Sequence, residues 1–502
     1  MINRKSMELE QLVRLLRDPF VTGSLDRRIT SICYDSREAS PGGLFVAIRG
    51  KVVDGHSFIE PAIDRGAIAI VSEEPGLTQR VTHIQVPDSR DALARLAAAF
   101  YSNPSKQLRM IGVTGTNGKT TTTYLIKHLL ERAGQRTGLI GTVSYEIGER
   151  VLPASRTTPE SLDLQSILAQ CVEAGCANVV MEVSSHALEL ERVDGIGFRV
   201  AIFTNLTQDH LDFHRGMKEY FEAKARSFAG LRDGERKSRT AIINVDDAYG
   251  QQLIARFGRD LSIITFGMGA RADLRASNFK IEPTGTSYQL DIKGKSFLVR
   301  LPLIGRFNIY NSLAALAAIQ ALGLDVRAAV LALARAPQVP GRLEAVPARR
   351  QFQVFVDYAH TDDALLNVIK TCRDLSPNRL IVVFGCGGNR DKSKRQLMGA
   401  AADQNADYSI ITSDNPRKED PAQIIRDIEA GFRTKRFESV LDRREAITRA
   451  IQLAQPRDIV LIAGKGHEKY QEFADRTIPF DDIEVAARAL EENPVEMKSH
   501  GT

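Results

Sequence analysis

The run Gly115-Thr116-Asn117-Gly118-Lys119-Thr120-Thr121 follows the apolar stretch Met110-Ile111-Gly112-Val113 almost without a break. A strand, a glycine turn and a helix start in that order make a cradle for phosphate. Backbone N–H groups point at the oxygens, a lysine adds a mobile charge, and a hydroxyl reaches Mg²⁺. The common pattern G-x-x-x-x-G-K-[ST] is met at Gly118, Lys119 and Thr120, but its first glycine falls on Val113. A plain strand–helix connector shares this local chemistry, so the neighbouring residues decide.

Glu182 follows the apolar run Val179-Val180-Met181 and opens Glu182-Val183-Ser184-Ser185-His186. A carboxylate at a strand end beside a phosphate loop is placed to hold Mg²⁺ or orient a water; a capping or ion-paired glutamate is the alternative. Asn205-Leu206-Thr207-Gln208-Asp209-His210-Leu211-Asp212-Phe213-His214 gathers two carboxylates and two imidazoles. With no cysteine nearby, a hard, oxygen-preferring ion suits this cluster better than zinc. His210 is a candidate ligand, with a structural histidine as the other reading. Lys224 stands in a helical pattern, Tyr220–Arg226, that by itself marks a solvated lysine.

Four apolar runs in the last third, Phe352–Val356, Leu380–Phe384, Tyr408–Thr412 and Ile459–Ala463, each end in a polar cluster. These are Asp357-Tyr358-Ala359-His360, Gly385–Asp391 with Arg390, Ser413-Asp414-Asn415-Pro416-Arg417, and Gly464-Lys465-Gly466-His467-Glu468. Ligands of open parallel sheets bind beyond the carboxyl ends of the strands, so the four loops are expected to line one crevice. Arg390 and Arg417 are forks suited to carboxylates, Asp414 and Glu468 suit an ammonium, and Asn415 both donates and accepts. Such a site fits a zwitterion with more than one carboxylate, such as a diamino diacid.

The elements that position these residues alternate between strand and helix, which predicts an α/β chain whose last third is a doubly wound parallel sheet. Strands are expected at Gly43–Ile48, Ala67–Val71, Asn178–Val183, Val200–Thr204, Thr240–Val245 and Ser262–Phe266, with helices over Arg90–Tyr101 and Ser312–Leu322. The helix after the loop carries Leu125 and Leu129 on one face and stops near Gly134. At 502 residues the chain exceeds a single core. Polar, proline-bearing stretches at Ser102–Lys106 and Ala336–Gly341 suggest three domains, 1–106, 107–338 and 339–502. The formal charge of +5 and the lack of a basic tract argue against a nucleic-acid surface. Five cysteines (Cys33, Cys171, Cys176, Cys372, Cys386) without a C-x-x-C pair favour reduced thiols. No stretch reads as a signal region or membrane span, so a cytoplasmic protein without membrane insertion is expected.

With these motifs assembled, the chain resembles the Mur ligases, ATP-dependent amide-forming enzymes of peptidoglycan precursor synthesis. The likeness runs from Asp35-Ser36-Arg37 and Pro41–Ala47 to Gly464–Glu468, and Gly115–Thr120 is the family's own phosphate loop. Within the family it is similar to members that add meso-2,6-diaminopimelate to UDP-N-acetylmuramoyl-L-alanyl-D-glutamate. The resemblance implies an N-terminal UDP-binding domain, a central P-loop ATPase-like domain and a C-terminal Rossmann-like domain. It assigns Tyr34, Ser36 and Lys51 to the uridine nucleotide, and Thr157, Thr158, Ser184 and Arg192 to the muramoyl dipeptide. It places ATP on Gly115, Thr116, Asn117, Gly118, Lys119, Thr120 and Thr121 with Asn308, Arg342 and Asp357. Mg²⁺ falls to Thr120, Glu182, His210 and Lys224, the last as a CO₂-derived carbamate.

For the amino-acid site the resemblance implies Arg390, Asp414, Asn415, Pro416, Arg417, Gly464 and Glu468. The tetrad Asp414–Arg417 marks diaminopimelate rather than lysine addition. Lys119, Lys224, His210, Glu182 and His360 are then the catalytic set, in a monomer. His360 or a carboxylate is to deprotonate the incoming amine. Two positions depart from the family pattern: Asp362, where proline is usual, and Leu190, where glutamine is common. A folylpolyglutamate-type synthetase is disfavoured by Asp35-Ser36-Arg37, and a non-catalytic descendant by the presence of Lys119, Glu182, His210 and Lys224 together.

Overall fold

The computed structural model describes residues 6–50, 53–76, 78–209, 213–231, 239–347 and 350–492. The chain divides into two compact units, Met1–Arg275 with Leu313–Ala329, and Ala276–Ser312 with Val330–Thr502.

The first unit begins with a five-stranded sheet in the order Phe20–Thr22, Thr82–Gln85, Ala67–Ser72, Gly43–Val46, Ser31–Cys33, parallel except at its first pair. Helix Ser89–Phe100 starts where the Asp88 carboxylate accepts from the Arg90 and Asp91 N–H groups. It lays Leu93, Leu96, Ala97 and Phe100 into a core with Leu44, Val46, Val71 and Ile84.

Six parallel strands follow, in the order Thr137–Ile140, Asn178–Glu182, Arg109–Thr114, Phe198–Phe203, Thr240–Asn244, Ser262–Gly267. The hairpin Ser144–Ile147 with Arg150–Pro153 extends one edge. The expected strands are all present, with ends displaced by a residue or two. Arg109–Thr114 lies inside the sheet and is buried from Met110 onward. Its loop therefore emerges between the ends of Asn178–Glu182 and Phe198–Phe203. That topology sets Glu182 on one side of the loop and Thr204-Asn205 on the other.

In the second unit, five parallel strands run in the order Gln353–Asp357, Ile459–Ala463, Leu380–Phe384, Tyr408–Ile411, Phe437–Ser439, with the short antiparallel Glu344–Ala345 at one edge. Alternate residues enter opposite cores. Leu380, Val382 and Phe384 pack with Phe355, Leu461 and Ala463, while Ile381 and Val383 pack with Val354, Val460 and Ile462. A parallel sheet covered on both faces accounts for the unbroken apolar runs in the sequence. Asp362 opens helix Asp362–Asp374 behind the cap Thr361, whose hydroxyl accepts from Ala364 N–H. An acid in a first turn suits the helix dipole, so Asp362 is compatible with this helix start.

Strands Gly285–Ile292 and Lys295–Leu301 form an antiparallel hairpin that the sequence reading omits. Residues of Gly285–Ile292 alternate between buried and half-buried, so no continuous apolar run marks it. Helix Arg306–Ala321 likewise starts six residues before the expected Ser312. Among the described residues no helix is long and apolar enough to cross a membrane.

Candidate active site

Gly115 has φ of 147°, and a Cβ there would collide with Thr204 Oγ1. The loop is pinned from the neighbouring strand end. Thr204 Oγ1 donates to Asn117 O at 2.7 Å, Thr116 N–H donates to Asn205 O at 2.9 Å, and Asn117 N–H donates to Asn205 Oδ1 at 2.9 Å. Gly118, at φ 87°, turns the chain into helix Lys119–Arg132, which aims its N-terminus at the loop. The helix ends at Arg132, near Gly134 as expected, where the chain turns away with φ of 75°. Gly115→Ala forces a left-handed backbone and a steric clash together. The expected result is loss of nucleotide binding or of soluble protein, measured as the melting-temperature gain on adding ATP.

Lys119 Nζ is held by Gly115 O at 3.0 Å and Thr116 O at 2.9 Å. Lys224 Nζ donates to the same Gly115 oxygen at 2.9 Å and sits 4.6 Å from the centre of the Tyr220 ring. Far from being solvated, Lys224 is 1% exposed. Burial and the Lys119 ammonium sharing its acceptor push its pKa well below the usual lysine range, against a smaller opposing pull from Asp209. Both effects favour the uncharged amine at this position beside the phosphate loop. His214 is buried against Tyr220, ring centres 5.1 Å apart, and so packs as an aromatic. His210 and Lys51, both named from sequence, lie outside the described residues.

Glu182 is 1% exposed, with Oε1 accepting from Thr142 N–H at 2.9 Å and Oε2 from Thr142 Oγ1 at 3.0 Å. A carboxylate that accepts two hydrogen bonds keeps lone pairs for a cation, so this donor fits a hard ion. Around it the four dipeptide candidates converge. Thr158 Oγ1 donates to Glu182 O at 2.9 Å, Arg192 Nη1 donates to Thr158 O at 3.1 Å, and Thr157 Oγ1 lies 3.1 Å from Thr142 Oγ1. Ser184 caps the short helix Ser185–Glu189 through Ala187 N–H. Arg192 is fixed by Glu160 at 2.7 Å. Just after the strand Ser31–Cys33, Tyr34 OH donates to Asp163 Oδ2 at 2.6 Å, and Ser36 is buried in the turn capped by Asp35.

Asn308, Arg342 and Asp357 belong to the second unit. Asn308 is buried, donating to Ile304 O and accepting from Asn311 Nδ2, both at 2.9 Å. Burial raises the Asp357 pKa, offset by Arg342 and by N–H donation from Leu343 at 2.7 Å and Ala359 at 2.8 Å. Arg342 lies over the Tyr358 ring at 5.1 Å. His360 Nδ1 donates to Tyr358 O at 2.8 Å, which places a proton on that nitrogen.

The loops after the four central strands meet at one edge of the sheet. Gly388 N–H donates to Asn415 O at 2.9 Å, and Asn415 Nδ2 donates to Glu468 Oε2 at 2.8 Å. Tyr358 OH reaches Glu468 Oε1 at 3.5 Å. A Cβ on Gly464 would lie 2.9 Å from Asp414 Oδ2. Arg417, at φ 52°, donates Nε to Glu472 Oε2 and Nη1 to Gly388 O, each at 2.9 Å. Pro416 lies on the same turn, its carbonyl packed where a Gly388 Cβ would stand. Arg390 is exposed at the rim.

Sequence reasoning left Lys465, Glu472 and the fully buried pair Arg443–Asp482 unassigned. Arg443 donates to Asp482 at 2.8 and 2.7 Å and to Ala463 O at 3.0 Å, tying the start of helix Asp482–Glu492 to the end of strand Ile459–Ala463. Lys465 carried a usable signal, a charge between two glycines directly after a buried strand. Arg443 lies far from any motif and carried none.

Comparison with known proteins agrees with this architecture. Residues 28–101 match the Mur ligase family catalytic domain, 113–319 the Mur ligase middle domain, and 341–466 the Mur ligase glutamate ligase domain. The chain is 46% identical over 488 residues to the UDP-N-acetylmuramoyl-L-alanyl-D-glutamate–2,6-diaminopimelate ligase of Syntrophomonas wolfei, covering 96% of this chain and 99% of the relative. It is 47% identical to the enzyme of that name from Geobacillus thermodenitrificans, covering 97% and 100%. A solved structure of a ligase of the same name superposes with a TM-score of 0.71 at 34% identity, covering 97% of this chain and 99% of the other. Domain matches in this order, and relatives aligned along almost the whole length, show that the chain belongs to the Mur ligase family.

Proposed function

We propose that the protein forms the amide between the D-glutamate γ-carboxylate of UDP-N-acetylmuramoyl-L-alanyl-D-glutamate and an amine of meso-2,6-diaminopimelate, with cleavage of ATP to ADP and phosphate. The observation that carries this reading is the loop cluster of the second unit. There one guanidinium, Arg417, and the ammonium-accepting groups Asp414, Asn415 and Glu468 meet beyond the carboxyl ends of the two strands that flank Leu380–Phe384. The names of the relatives support the same substrate pair. Working domains of 1–106, 107–338 and 339–502 follow, in a cytoplasmic monomer that binds no nucleic acid and does not insert into a membrane.

The γ-carboxylate attacks the γ-phosphorus of ATP, the bond to ADP breaks, and an acyl phosphate results. The amine, having lost its proton, adds to the acyl carbonyl, and the tetrahedral intermediate expels phosphate. In the first step Lys119 and the N–H groups of Gly115–Thr121 neutralise charge on the moving phosphoryl group. Thr157, Thr158, Ser184 and Arg192 hold the dipeptide; Tyr34, Ser36 and Lys51 hold the uridine nucleotide. Asn308, Arg342 and Asp357 complete the nucleotide contacts. In the second step Arg417 and Arg390 take carboxylates of the amino acid, while Asp414 and Glu468 take an ammonium. His360 or a carboxylate accepts the proton of the attacking amine. Thr120, Glu182, His210 and a carbamylated Lys224 would hold Mg²⁺, which supplies further charge neutralisation when bound. The uncharged form of an amine adds CO₂, releasing one proton and replacing the amine with an anionic oxygen ligand, and the burial of Lys224 favours that form.

The acyl phosphate makes an isotopic prediction. With ¹⁸O in the γ-carboxylate, one labelled oxygen per turnover is expected in the released phosphate, measured by mass spectrometry. Unlabelled phosphate would overturn the mechanism.

A further inference from the structure

We propose that Lys465 is a positioning residue of the amino-acid site, its ammonium setting the orientation of Asn415, Asp414 and Glu468 toward the incoming zwitterion. This rests on the amide-ligase reading above and extends it to a side chain that the site assignment leaves out. The Lys465 side chain is 0% exposed. Its Nζ lies 3.0 Å from Asn415 Oδ1, 3.2 Å from Glu468 Oε2 and 3.7 Å from Asp414 Oδ1. A buried ammonium is costly unless paired, and here each of its neighbouring oxygens belongs to a residue of the candidate site.

The contacts fix more than charge. Asn415 Oδ1 accepts from Lys465 Nζ and from Glu472 N–H, both at 3.0 Å, and both partners can only donate. The amide is thereby locked with Nδ2 toward Glu468, which only accepts when ionised. One Nδ2 hydrogen is committed to Glu468, leaving the other directed away from it for a further acceptor. Without Lys465 the Asn415 oxygen loses one of its two donors and the amide is free to turn over.

The ammonium also separates Asp414, 6% exposed, from Glu468. Two carboxylates in a half-buried crevice repel each other, and Lys465 offsets that repulsion before any substrate ammonium arrives. The backbone supports the placement. Gly464 and Gly466 have φ of 120° and 53°, and a Cβ on Gly466 would lie 2.7 Å from Tyr358 Cβ. The turn thus delivers the lysine inward and holds it there.

The test is a steady-state comparison of wild type, Lys465→Met and Lys465→Arg, with KM determined separately for diaminopimelate, ATP and the UDP-dipeptide. Lys465→Met removes charge and lock together, so its KM for diaminopimelate is expected to rise about tenfold or more. Lys465→Arg keeps the charge but not the compact geometry, and is expected to fall between Met and wild type. In each soluble variant KM for the other two substrates stays within about twofold, a split that general loss of structure does not produce. Lys465→Arg is the milder change and carries the test if Lys465→Met does not fold. A soluble variant with an unchanged KM for diaminopimelate, or with all three constants raised together, overturns the inference. A wild-type protein inert toward diaminopimelate instead removes the ligase reading, and the inference with it.

Discussion

Lys224→Ala is expected to lower kcat by about 10²–10³-fold, the range found when one preorganised charge-stabilising group is removed. The substitution takes away a buried amine that donates to Gly115 O, in a place where an ammonium is disfavoured by burial and by Lys119. If the amine were only a structural donor, its loss would lower stability and leave chemistry near normal. If it serves as a carbamate, the missing group is a carboxylate, and a small one supplied in solution can replace it. Formate or acetate is therefore expected to restore part of the activity of Lys224→Ala while leaving wild type unaffected. Lys224→Arg is expected to be as inactive as alanine, because a guanidinium stays charged and adds no CO₂. Steady-state phosphate release, with and without the added acid, checks each point. Full activity of Lys224→Ala would show that no carbamate is needed.

The second large effect is on selectivity. Arg417→Met is expected to reduce kcat/KM for diaminopimelate by about 10²–10³-fold, equivalent to about 3–4 kcal/mol, as for the loss of one partner of a hydrogen-bonded charge pair that the bound substrate covers. Arg417 is held in a left-handed backbone conformation, which costs a non-glycine residue about 1–3 kcal/mol. That strain is offset by contacts to Glu472 and Gly388 on both of its sides. With L-lysine, which lacks the distal carboxylate, the same substitution is expected to change kcat/KM little. The ratio between the two amino acids therefore collapses in the variant. Arg417→Lys is expected to recover only a fraction, since one ammonium cannot reproduce a planar fork. Competition between the two amino acids, with both products quantified by mass, measures the ratio directly.

How much of this was legible in the sequence depends on where each residue lies in its element. Polar clusters that end buried parallel strands stood out, because the apolar run stops abruptly where the loop begins. The phosphate loop, Glu182 and the Asp414–Arg417 turn were read in that way. Lys224 was harder. It lies four residues after Tyr220 and four before Phe228, on the buried face of helix Met217–Ala229. The periodicity was therefore present. A lysine on such a face ordinarily extends its charge to solvent, and only the fold shows that this one cannot. The hairpin over residues 285–301 escaped notice because its first strand alternates buried and half-buried residues and its second is largely exposed, so neither forms a long apolar run. Arg443 and Asp482 are 39 positions apart, and no local pattern links two charges that pair only after the sheet forms.

Phosphate release from ATP, in the presence of the UDP-dipeptide and either meso-diaminopimelate, L-lysine or no amino acid, tests the central claim most directly. Release that depends on diaminopimelate and is at least about a hundredfold slower with L-lysine is the predicted result, since Arg417 is left without its carboxylate. Equal release with the two amino acids would contradict the assignment of Arg417 as the selecting group. No release with either would contradict the ligase assignment itself.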